Sequence, residues 1–231
     1  MKKIAIIPAR GGSKRILRKN IKLFLDKPII FYAIKAAMDS QLFDEVMVST
    51  DDEEIAEIAK NYGAKVPFYR SKENANDMAT TIDVVNEVIK EYQKQNINFV
   101  YACCIYPCAP FVTSAILKSS FQKLEMSQLD CVFPVCKYGH PIQRALEVQE
   151  NERIGMIHPE NMQVRTQDFK ASYHDLGQFY FFKIAPILKQ NKLWNDNTGF
   201  IELNEIESHD IDTLEDWKMA EFKYQYLKTK R

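Results

Sequence analysis

The first stretch of the chain that could carry chemistry is a glycine pair followed at once by cations. Gly11 and Gly12 come directly after an apolar run, and between Arg10 and Lys22 there are six Lys or Arg side chains and no acid. Glycine lets a backbone approach a ligand closely and point its N–H groups at phosphate oxygens, while cations neutralise the phosphate charge. The pattern therefore predicts a phosphate-binding loop; the alternative is a solvated basic loop.

This loop matches neither of the common glycine-rich signatures. The G-x-x-x-x-G-K-[ST] spacing and the G-x-G-x-x-G spacing are both missing from it. The loop does follow a predicted buried strand, and α/β sheets bind their ligands at the carboxyl ends of strands. That position favours phosphate binding over a merely solvated loop.

A second group that could carry chemistry is Asp210-Ile211-Asp212. In an extended segment, residues two apart point to the same side, so both carboxylates would face one site while Ile211 packs inward. Two close carboxylates repel unless a cation lies between them, and oxygen ligands suit Mg²⁺. Thr213 and Asp216 have the spacing of a helix N-cap pair, so acids favoured by the helix dipole are an equally open alternative.

The elements that must position these groups alternate between strands and helices. Predicted strands cover residues 4–7, 45–49, 66–69, 99–105, 130–136 and 177–182, and residues 199–203 and 208–211 are expected to be extended. Predicted helices cover residues 29–38, 50–62, 82–92, 113–124 and 213–227. Short connections between alternating elements predict the α/β class, as a three-layer α/β/α sandwich with a mostly parallel sheet.

Several residues mark the expected ends of the helices. Pro28 suits the first position of the first helix, and Thr50 with Glu53 has the spacing of a capping box. Gly63 suits the end of the second helix, and Thr113 the start of the fourth. The alternation of predicted strands and helices stops in residues 139–176, which are polar, aromatic and irregular. We interpret these residues as an inserted lobe or hairpin in a single domain of 231 residues.

Bulk properties exclude several classes of protein. Lys and Arg number 31 and Asp and Glu number 31, so the net charge of zero argues against broad binding to nucleic acid or to a membrane surface. No apolar stretch is long enough to cross a bilayer. The five cysteines form no C-x-x-C pair, which favours small buried hydrophobic residues in a reducing compartment. We therefore expect a cytoplasmic protein.

Residues 7–14 and 18–21 resemble the opening signature of the CMP-sialic acid synthetase family of cytidylyltransferases, and residues 49–52 and 210–212 match at suitable positions. The resemblance covers almost the whole chain. It implies a Rossmann-like nucleotidyltransferase sandwich and a homodimer. The insertion is our candidate for the dimer interface, because aromatic-rich protruding lobes often pair, and we expect it to contribute to the sugar site. The resemblance further implies transfer of CMP from CTP to the anomeric hydroxyl of an acidic sugar, with release of pyrophosphate and with Mg²⁺ as cofactor.

The resemblance also implies roles for individual residues. Arg10, Lys14 and Lys19 are expected to bind the triphosphate, and Arg10, Lys19 and Asp212 to be catalytic. Asp210 and Asp212 are expected to hold Mg²⁺, and Asp212 is our candidate for a general base. The expected nucleotide-binding residues are Ala9, Arg10, Gly11, Gly12, Ser13, Lys14, Lys19, Asn20, Arg70, Thr80 and Thr81.

The expected sugar-binding residues are Tyr106, Arg144, Arg165, Gln167 and Gln178. Arginine binds a carboxylate through two parallel hydrogen bonds, as an acidic sugar requires. Sialic acid members have Gln where this chain has Tyr106, whereas the run Tyr-His-Asp-x-Gly-Gln-Phe-Tyr at 173–180 resembles the pseudaminic acid branch of the family. We interpret His174 and Asp175 as a structural hydrogen-bonding pair rather than a general base.

Three alternatives to pseudaminic acid transfer remain open at this point. The same reaction could use a sialic, legionaminic or Kdo-type acid. The chain could instead be a non-catalytic nucleotide-binding protein, or a phosphotransferase with a non-standard loop. Pyrophosphate release separates the first possibility from the other two, because a binding protein releases none and a kinase produces a nucleoside diphosphate.

Overall fold

The computed structural model describes residues 1–230. Its strands are β1 (Lys3–Pro8), β2 (Leu23–Phe24), β3 (Lys27–Pro28), β4 (Glu45–Ser49), β5 (Tyr101–Ile105), β6 (Cys131–Lys137), β7 (Leu146–Val148), β8 (Ile154–Met156), β9 (Tyr173–Asp175), β10 (Phe179–Lys183) and β11 (Thr198–Glu202). Its α-helices are α1 (Ile30–Ser40), α2 (Glu53–Asn61), α3 (Thr81–Lys94), α4 (Ser114–Met126), α5 (Ile184–Gln190) and α6 (Leu214–Thr229).

The central sheet is mixed but mostly parallel. Its strand order is β11-β6-β10-β5-β1-β4, and β9 pairs with the last residues of β6. β1 is parallel to both β4 and β5, and β11 is parallel to β6. β10 is antiparallel to both β5 and β6, so it returns the chain between two strands that run in the same direction.

Both faces of this sheet are covered, which confirms the three-layer α/β/α sandwich. In β1, Ala5 and Ile7 join a core with residues of α1, α2 and α4, whereas Ile4 and Ile6 join a second core with residues of α3 and α5. Successive side chains of a strand point to opposite faces, so a strand buried on both faces must be apolar throughout. That requirement explains the continuous apolar run that the sequence shows here.

A third, smaller core fixes the cationic loop against the C-terminal helix. Ile16, inside the loop, is buried together with Ile211, Phe24 and Trp217. Burying such side chains stabilises the contact by about 1.5–3 kcal/mol each. Because Ile16 and Ile211 share one apolar cluster, the charged residues beside each of them are brought together.

The predicted helix ends are confirmed in several places and wrong in two. The side chain of Thr113 accepts a hydrogen bond from Ile116 N at the start of α4, and Thr213 and Asp216 form a capping box at α6. Gly63 follows α2 with a φ of +92°, which glycine tolerates. Pro28, however, pairs in β3 instead of opening α1.

The N-cap of α2 is Asp52, not Thr50. Asp52 Oδ1 accepts a hydrogen bond from Ile55 N at 3.0 Å, while Thr50 is fully buried at the end of β4. Residues 66–69 are not a strand either. Only Lys65 bridges to Met47, and Pro67 then offers no N–H to continue the ladder.

Within residues 139–176, β7 and β8 form an antiparallel hairpin that pairs only with itself. Short 3-10 turns flank the hairpin, and β9 returns the chain to the central sheet. None of the helices in residues 1–230 has the length and apolar character needed to span a membrane. All five cysteines are free, and four of them are buried, as the sequence predicts.

Candidate functional site

A cleft of about 570 Å³ opens at the carboxyl ends of β1 and β5. The cationic loop (residues 10–22) forms one wall, and the 106–108 turn after β5 forms another. Asp210 and Ile211 approach from the segment before α6. The expected site residues that line this cleft are Arg10, Ser13, Lys14, Lys19, Asn20, Tyr106 and Asp210.

The cations of the loop are paired with carboxylates from distant segments. Arg10 Nη1 lies 2.6 Å from an oxygen of Asp77, and Lys14 donates to the other oxygen of the same carboxylate. The pKa of Asp77 is lowered by the hydrogen bonds from Lys14 and Arg10. Asp212 lies 2.5 Å from Arg15 Nη1. The loop cations are therefore partly neutralised by acids that the local sequence does not place beside them.

Arg18 differs from the other loop cations because it is structural. Its guanidinium donates two hydrogen bonds to Asp52 and one, at 2.5 Å, to Glu54. The guanidinium and the N–H of Ile55 both hold the pKa of Asp52 below its ordinary value. This clamp fixes the middle of the loop to the start of α2, while Arg10, Lys14, Arg15 and Lys19 line the cleft.

Glycine at position 11 is required by a close approach. A Cβ there would lie 2.7 Å from Oδ2 of Asp52, and Gly11 N donates to Asp51 Oδ1 at 2.9 Å. A Cβ at Gly12 would meet open space. Ala9, which precedes the loop, is fully buried. Gly11 therefore serves the packing of the loop on α2, and its N–H is occupied by a carboxylate.

Asn20 holds two walls of the cleft together. Its Nδ2 donates to the carbonyl of Arg10 at 2.9 Å, and its Oδ1 accepts from the thiol of Cys108 at 3.3 Å. Burial raises the pKa of Cys108 to about 12, so the thiol stays protonated and remains a donor. Asn20 is itself buried. Its amide thus links the cationic loop to the turn after β5.

Tyr106 links the same turn to the start of α3. Its hydroxyl lies 2.9 Å from Oγ1 of Thr81, and its backbone N–H donates to the carbonyl of Gln178 at 2.9 Å. Burial raises the pKa of Tyr106 to about 12. Thr80, one residue earlier than Thr81, is exposed and caps α3 through Asp83.

Arg70 is buried beside the cleft rather than lining it. Its Nε and Nη2 donate to the hydroxyl and the carbonyl of Ser49, at 3.0 and 2.6 Å. Burial lowers the pKa of Arg70, and the charges of Asp51 and Glu87 oppose that shift. The side chain of Arg70 therefore ties the end of β4 to the segment between α2 and α3.

Of the two acids that flank Ile211, Asp210 lines the first cleft, whereas Asp212 is outside its lining and is paired with Arg15. Ile211 is buried, Asp210 is exposed in the cleft, and Asp212 lies 3.8 Å from Nζ of the cleft residue Lys19. No cluster of three or more His, Cys, Asp or Glu side chains within residues 1–230 could hold a metal. Two carboxylates fit Mg²⁺, which is commonly bound through one or two carboxylates plus substrate phosphates.

The remaining predicted sugar-binding residues lie away from this cleft. Arg144 is exposed and donates to the carbonyls of Met162 and Val164, inside the insertion. Arg165 and Gln167 are exposed on the same insertion. Gln178 is buried; its Nε2 donates to the carbonyl of Glu207 at 3.0 Å, and its Oε1 has no partner among the described residues.

A second cleft of about 930 Å³ adjoins the first and shares Gly177 and Asp210 with it. Its basic side chains, which could receive an acidic ligand, are Lys137, His140, His174, His209 and Lys223. Three acids line it as well: Asp175, Glu205 and Asp210. Burial is the main cause of the lowered pKa of His209, with Lys223 adding to it. An acidic ligand in this cleft would lie next to a phosphate chain in the first.

Tyr180 lies at the junction of the two clefts; it ends the run at 173–180, but it is not among the predicted site residues. It lines the first cleft, and its hydroxyl donates to Asp175, which lines the second. Burial and then the bond to Asp175 raise the pKa of Tyr180. The predicted site residues also omit Asp77, His209 and Lys223, and they omit Asp51 although residues 49–52 match the family signature. The partners of Asp51 and Asp77 lie 40 or more residues away in the chain, so no local spacing marks these two acids.

Three comparisons place the chain among known proteins. Residues 4–220 match a protein family described as "Cytidylyltransferase". "Pseudaminic acid cytidylyltransferase" of Campylobacter jejuni is 41% identical over 225 residues, covering 97% of this chain and 97% of that protein. "CMP-N,N'-diacetyllegionaminic acid synthase" of Legionella pneumophila is 30% identical, covering 96% of this chain and 95% of that protein.

Among solved structures, a CMP:2-keto-3-deoxy-manno-octonic acid synthetase complexed with CTP matches with a TM-score of 0.71. The match covers 98% of this chain and 99% of that one at 17% identity. At that identity the likeness concerns the fold alone, and it confirms the nucleotidyltransferase type of sandwich.

Proposed function

Because the chain belongs to the cytidylyltransferase family, we propose that it transfers CMP from CTP to the anomeric hydroxyl of pseudaminic acid. The observation that carries this proposal is the arrangement of the first cleft. Loop cations form one wall of the cleft at the carboxyl ends of β1 and β5, and Asp210 lines the cleft as well. Asp212 lies beside it, paired with Arg15 and 3.8 Å from Nζ of Lys19. The choice of acceptor is supported by the Campylobacter relative, which matches along almost the whole of both chains.

The proposed reaction is an in-line displacement at phosphorus. The acceptor's anomeric oxygen forms a bond to the α-phosphorus of CTP, the bond from that phosphorus to the β-bridging oxygen breaks, and pyrophosphate leaves. The hydroxyl proton passes to a base, for which Asp212 is the candidate. Such transfers depend mainly on positioning and on stabilisation of the phosphoryl charge.

The chain's own residues supply that positioning. Arg10, Lys14 and Lys19 would hold the β- and γ-phosphates, since all three line the first cleft. Asp210 and Asp212 would hold Mg²⁺, which supplies positive charge at the reacting phosphate when bound. Asn20 keeps the loop against the turn after β5, so that the phosphate chain and the acceptor meet in a fixed geometry.

The acceptor would occupy the second cleft. Its carboxylate would find cations there, and its anomeric hydroxyl could approach the first cleft past Asp210 and Gly177, which belong to both. Tyr106 and Tyr180 would form the wall between nucleotide and sugar, because their rings pack edge to face with centroids 6.1 Å apart. A role for Gln178 remains a prediction, as do roles for Arg144, Arg165 and Gln167.

We also propose a homodimer formed through the insertion. Large apolar side chains are exposed on the hairpin: Leu146, Val148 and Ile154. Contiguous exposed apolar surface usually marks an interaction site. Five free cysteines and a nucleotide substrate support a cytoplasmic location.

The test of this function is a product assay with a panel of acceptors. The protein is mixed with CTP, Mg²⁺ and pseudaminic, legionaminic, sialic or Kdo-type acid, and the CMP-sugar is identified by its mass while pyrophosphate is measured. We expect the largest kcat/KM with pseudaminic acid. A higher value for legionaminic acid would reassign the acceptor, as the Legionella relative would suggest. Absence of pyrophosphate release with every acid would refute the function.

A further inference from the structure

The segment that immediately precedes α3 places the carboxylate of one residue, Asp77, against cations to which the proposed function assigns phosphate binding. This segment, residues 71–79, is called the Asp77 segment. The two carboxylate oxygens of Asp77 accept hydrogen bonds from Nη1 of Arg10, at 2.6 Å, and from Nζ of Lys14. A single carboxylate thus engages two of the three groups that would hold the β- and γ-phosphates.

These contacts are open to exchange. The side chain of Asp77 is 45% exposed and that of Lys14 is 78% exposed, so water and salt screen the ion pairs. A triphosphate carries more charge and more acceptor oxygens than one carboxylate, and it can engage Arg10 with two parallel hydrogen bonds. The nucleotide is therefore the stronger partner for the same cations.

The Asp77 segment is fixed at both ends, so a displaced Asp77 cannot move far. On one side, Arg70 is buried and bonded to Ser49. On the other side, Thr80 caps α3 and Thr81 contacts the hydroxyl of Tyr106. A tethered group competes at a high effective concentration, because its return to the cations is an intramolecular event.

We propose that Asp77 is an internal competitor of phosphate: it occupies Arg10 and Lys14 in the free protein, yields them to the triphosphate of CTP, and reclaims them as pyrophosphate leaves. This inference rests on the proposed function. Its consequence is a lowered affinity for CTP and for pyrophosphate together, since both need the same two cations. A weaker hold on pyrophosphate favours its release after each turnover.

The test compares Asp77→Asn with a matched control, Glu73→Gln. Glu73 is an exposed acid of the same segment, and no ion pair among the described residues includes it. The dissociation constant of CTP and the inhibition constant of pyrophosphate are measured for both variants and for the unaltered protein. CMP serves as a probe that lacks the β- and γ-phosphates.

We expect Asp77→Asn to lower both constants by about threefold or more, with a smaller difference at high salt. The affinity for CMP should stay the same, and Glu73→Gln should match the unaltered protein with all three ligands. Unchanged binding of CTP by Asp77→Asn would overturn the inference. Weaker binding would overturn it as well, because Asp77 would then assist the binding of the nucleotide.

The same measurements separate this inference from the proposed function. If the unaltered protein forms the CMP-sugar but Asp77→Asn binds CTP no more tightly, only the competitor role fails. If Asp77→Asn binds CTP more tightly but no acid yields a product, the transferase function fails and the competitor role stands. Thermal unfolding of each variant verifies that the fold is intact.

Discussion

At the scale of single residues, the cationic loop divides its side chains between two tasks. Arg18 is committed to Asp52 and Glu54 and fixes the loop. Arg10 and Lys14, by contrast, hold an exposed carboxylate that a ligand can replace. The difference lies in the acid partner: the Asp52 side chain is 21% exposed and also caps α2, whereas that of Asp77 is 45% exposed. An exposed ion pair contributes little stability, so it can be exchanged at low cost.

Asp212 is the residue whose replacement tests the metal assignment. We expect Asp212→Asn to lower kcat by roughly 100-fold or more, because an amide is a poorer Mg²⁺ ligand than a carboxylate. Pyrophosphate release measures the rate, and circular dichroism verifies the fold.

The control for that variant is Glu215→Gln, which removes a charge from the first turn of α6, three residues further on. It should leave kcat within about twofold, as expected for a surface change. Near-normal turnover in Asp212→Asn would refute the assignment of Asp212 as a metal ligand.

At the scale of elements, the start of α2 is the point where strand, helix and loop meet. The carboxylate of Asp52 caps α2 and accepts hydrogen bonds from the Arg18 guanidinium. It also lies too close to Gly11 for a side chain at that position. One carboxylate oxygen accepts from the N–H of Ile55 in the helix, while both oxygens accept from Arg18. The element therefore positions the loop as well as itself.

Replacing Asp52 by Asn keeps a capping oxygen and removes the charge. We expect the free energy of unfolding at about pH 7 to fall by about 1–2 kcal/mol, as for a lost charge-assisted hydrogen bond. Because the pKa of Asp52 is lowered in the folded state, its contribution is present above the ordinary carboxyl pKa and is lost as pH falls through the lowered value.

Urea unfolding at about pH 7 and about pH 3 checks this prediction, since the difference from the unaltered protein should shrink in acid. Glu53→Gln, which changes the neighbouring first-turn acid, is the control and should show no comparable loss. An equal loss at both pH values would show that the charge of Asp52 contributes nothing.

At the scale of the whole molecule, the proposed dimer would bury the exposed apolar hairpin of the insertion. Val148 is 80% exposed on β7, and nothing within residues 1–230 covers it. In the proposed dimer, Val148→Asp would place an uncompensated charge in the interface. We expect the dimer dissociation constant to rise about tenfold or more, as measured by analytical ultracentrifugation.

Met126→Asp is the matched control, because Met126 is 76% exposed at the end of α4, outside the insertion. It should leave the oligomeric state unchanged. A monomer in the unaltered protein, or equal dissociation constants in the two variants, would exclude the hairpin as the interface.

The sequence alone predicts whatever depends on neighbours in the chain. The apolar run of β1, the caps at Thr113 and Thr213, and the inward turn of Ile211 between two acids all follow from local periodicity and short-range hydrogen bonding. The family and its reaction can also be predicted from the sequence, because the motif of the cationic loop is a continuous segment.

Only the tertiary structure decided which carboxylate meets which cation. Asp77 lies 67 residues from Arg10, and Asp52 lies 34 residues from Arg18, so no local pattern links them. Asp212 reaches the loop because Ile16 and Ile211 are buried in one apolar cluster. Hydrophobic burial is not directional, so it joins distant segments, and the charges carried beside them become partners through the packing.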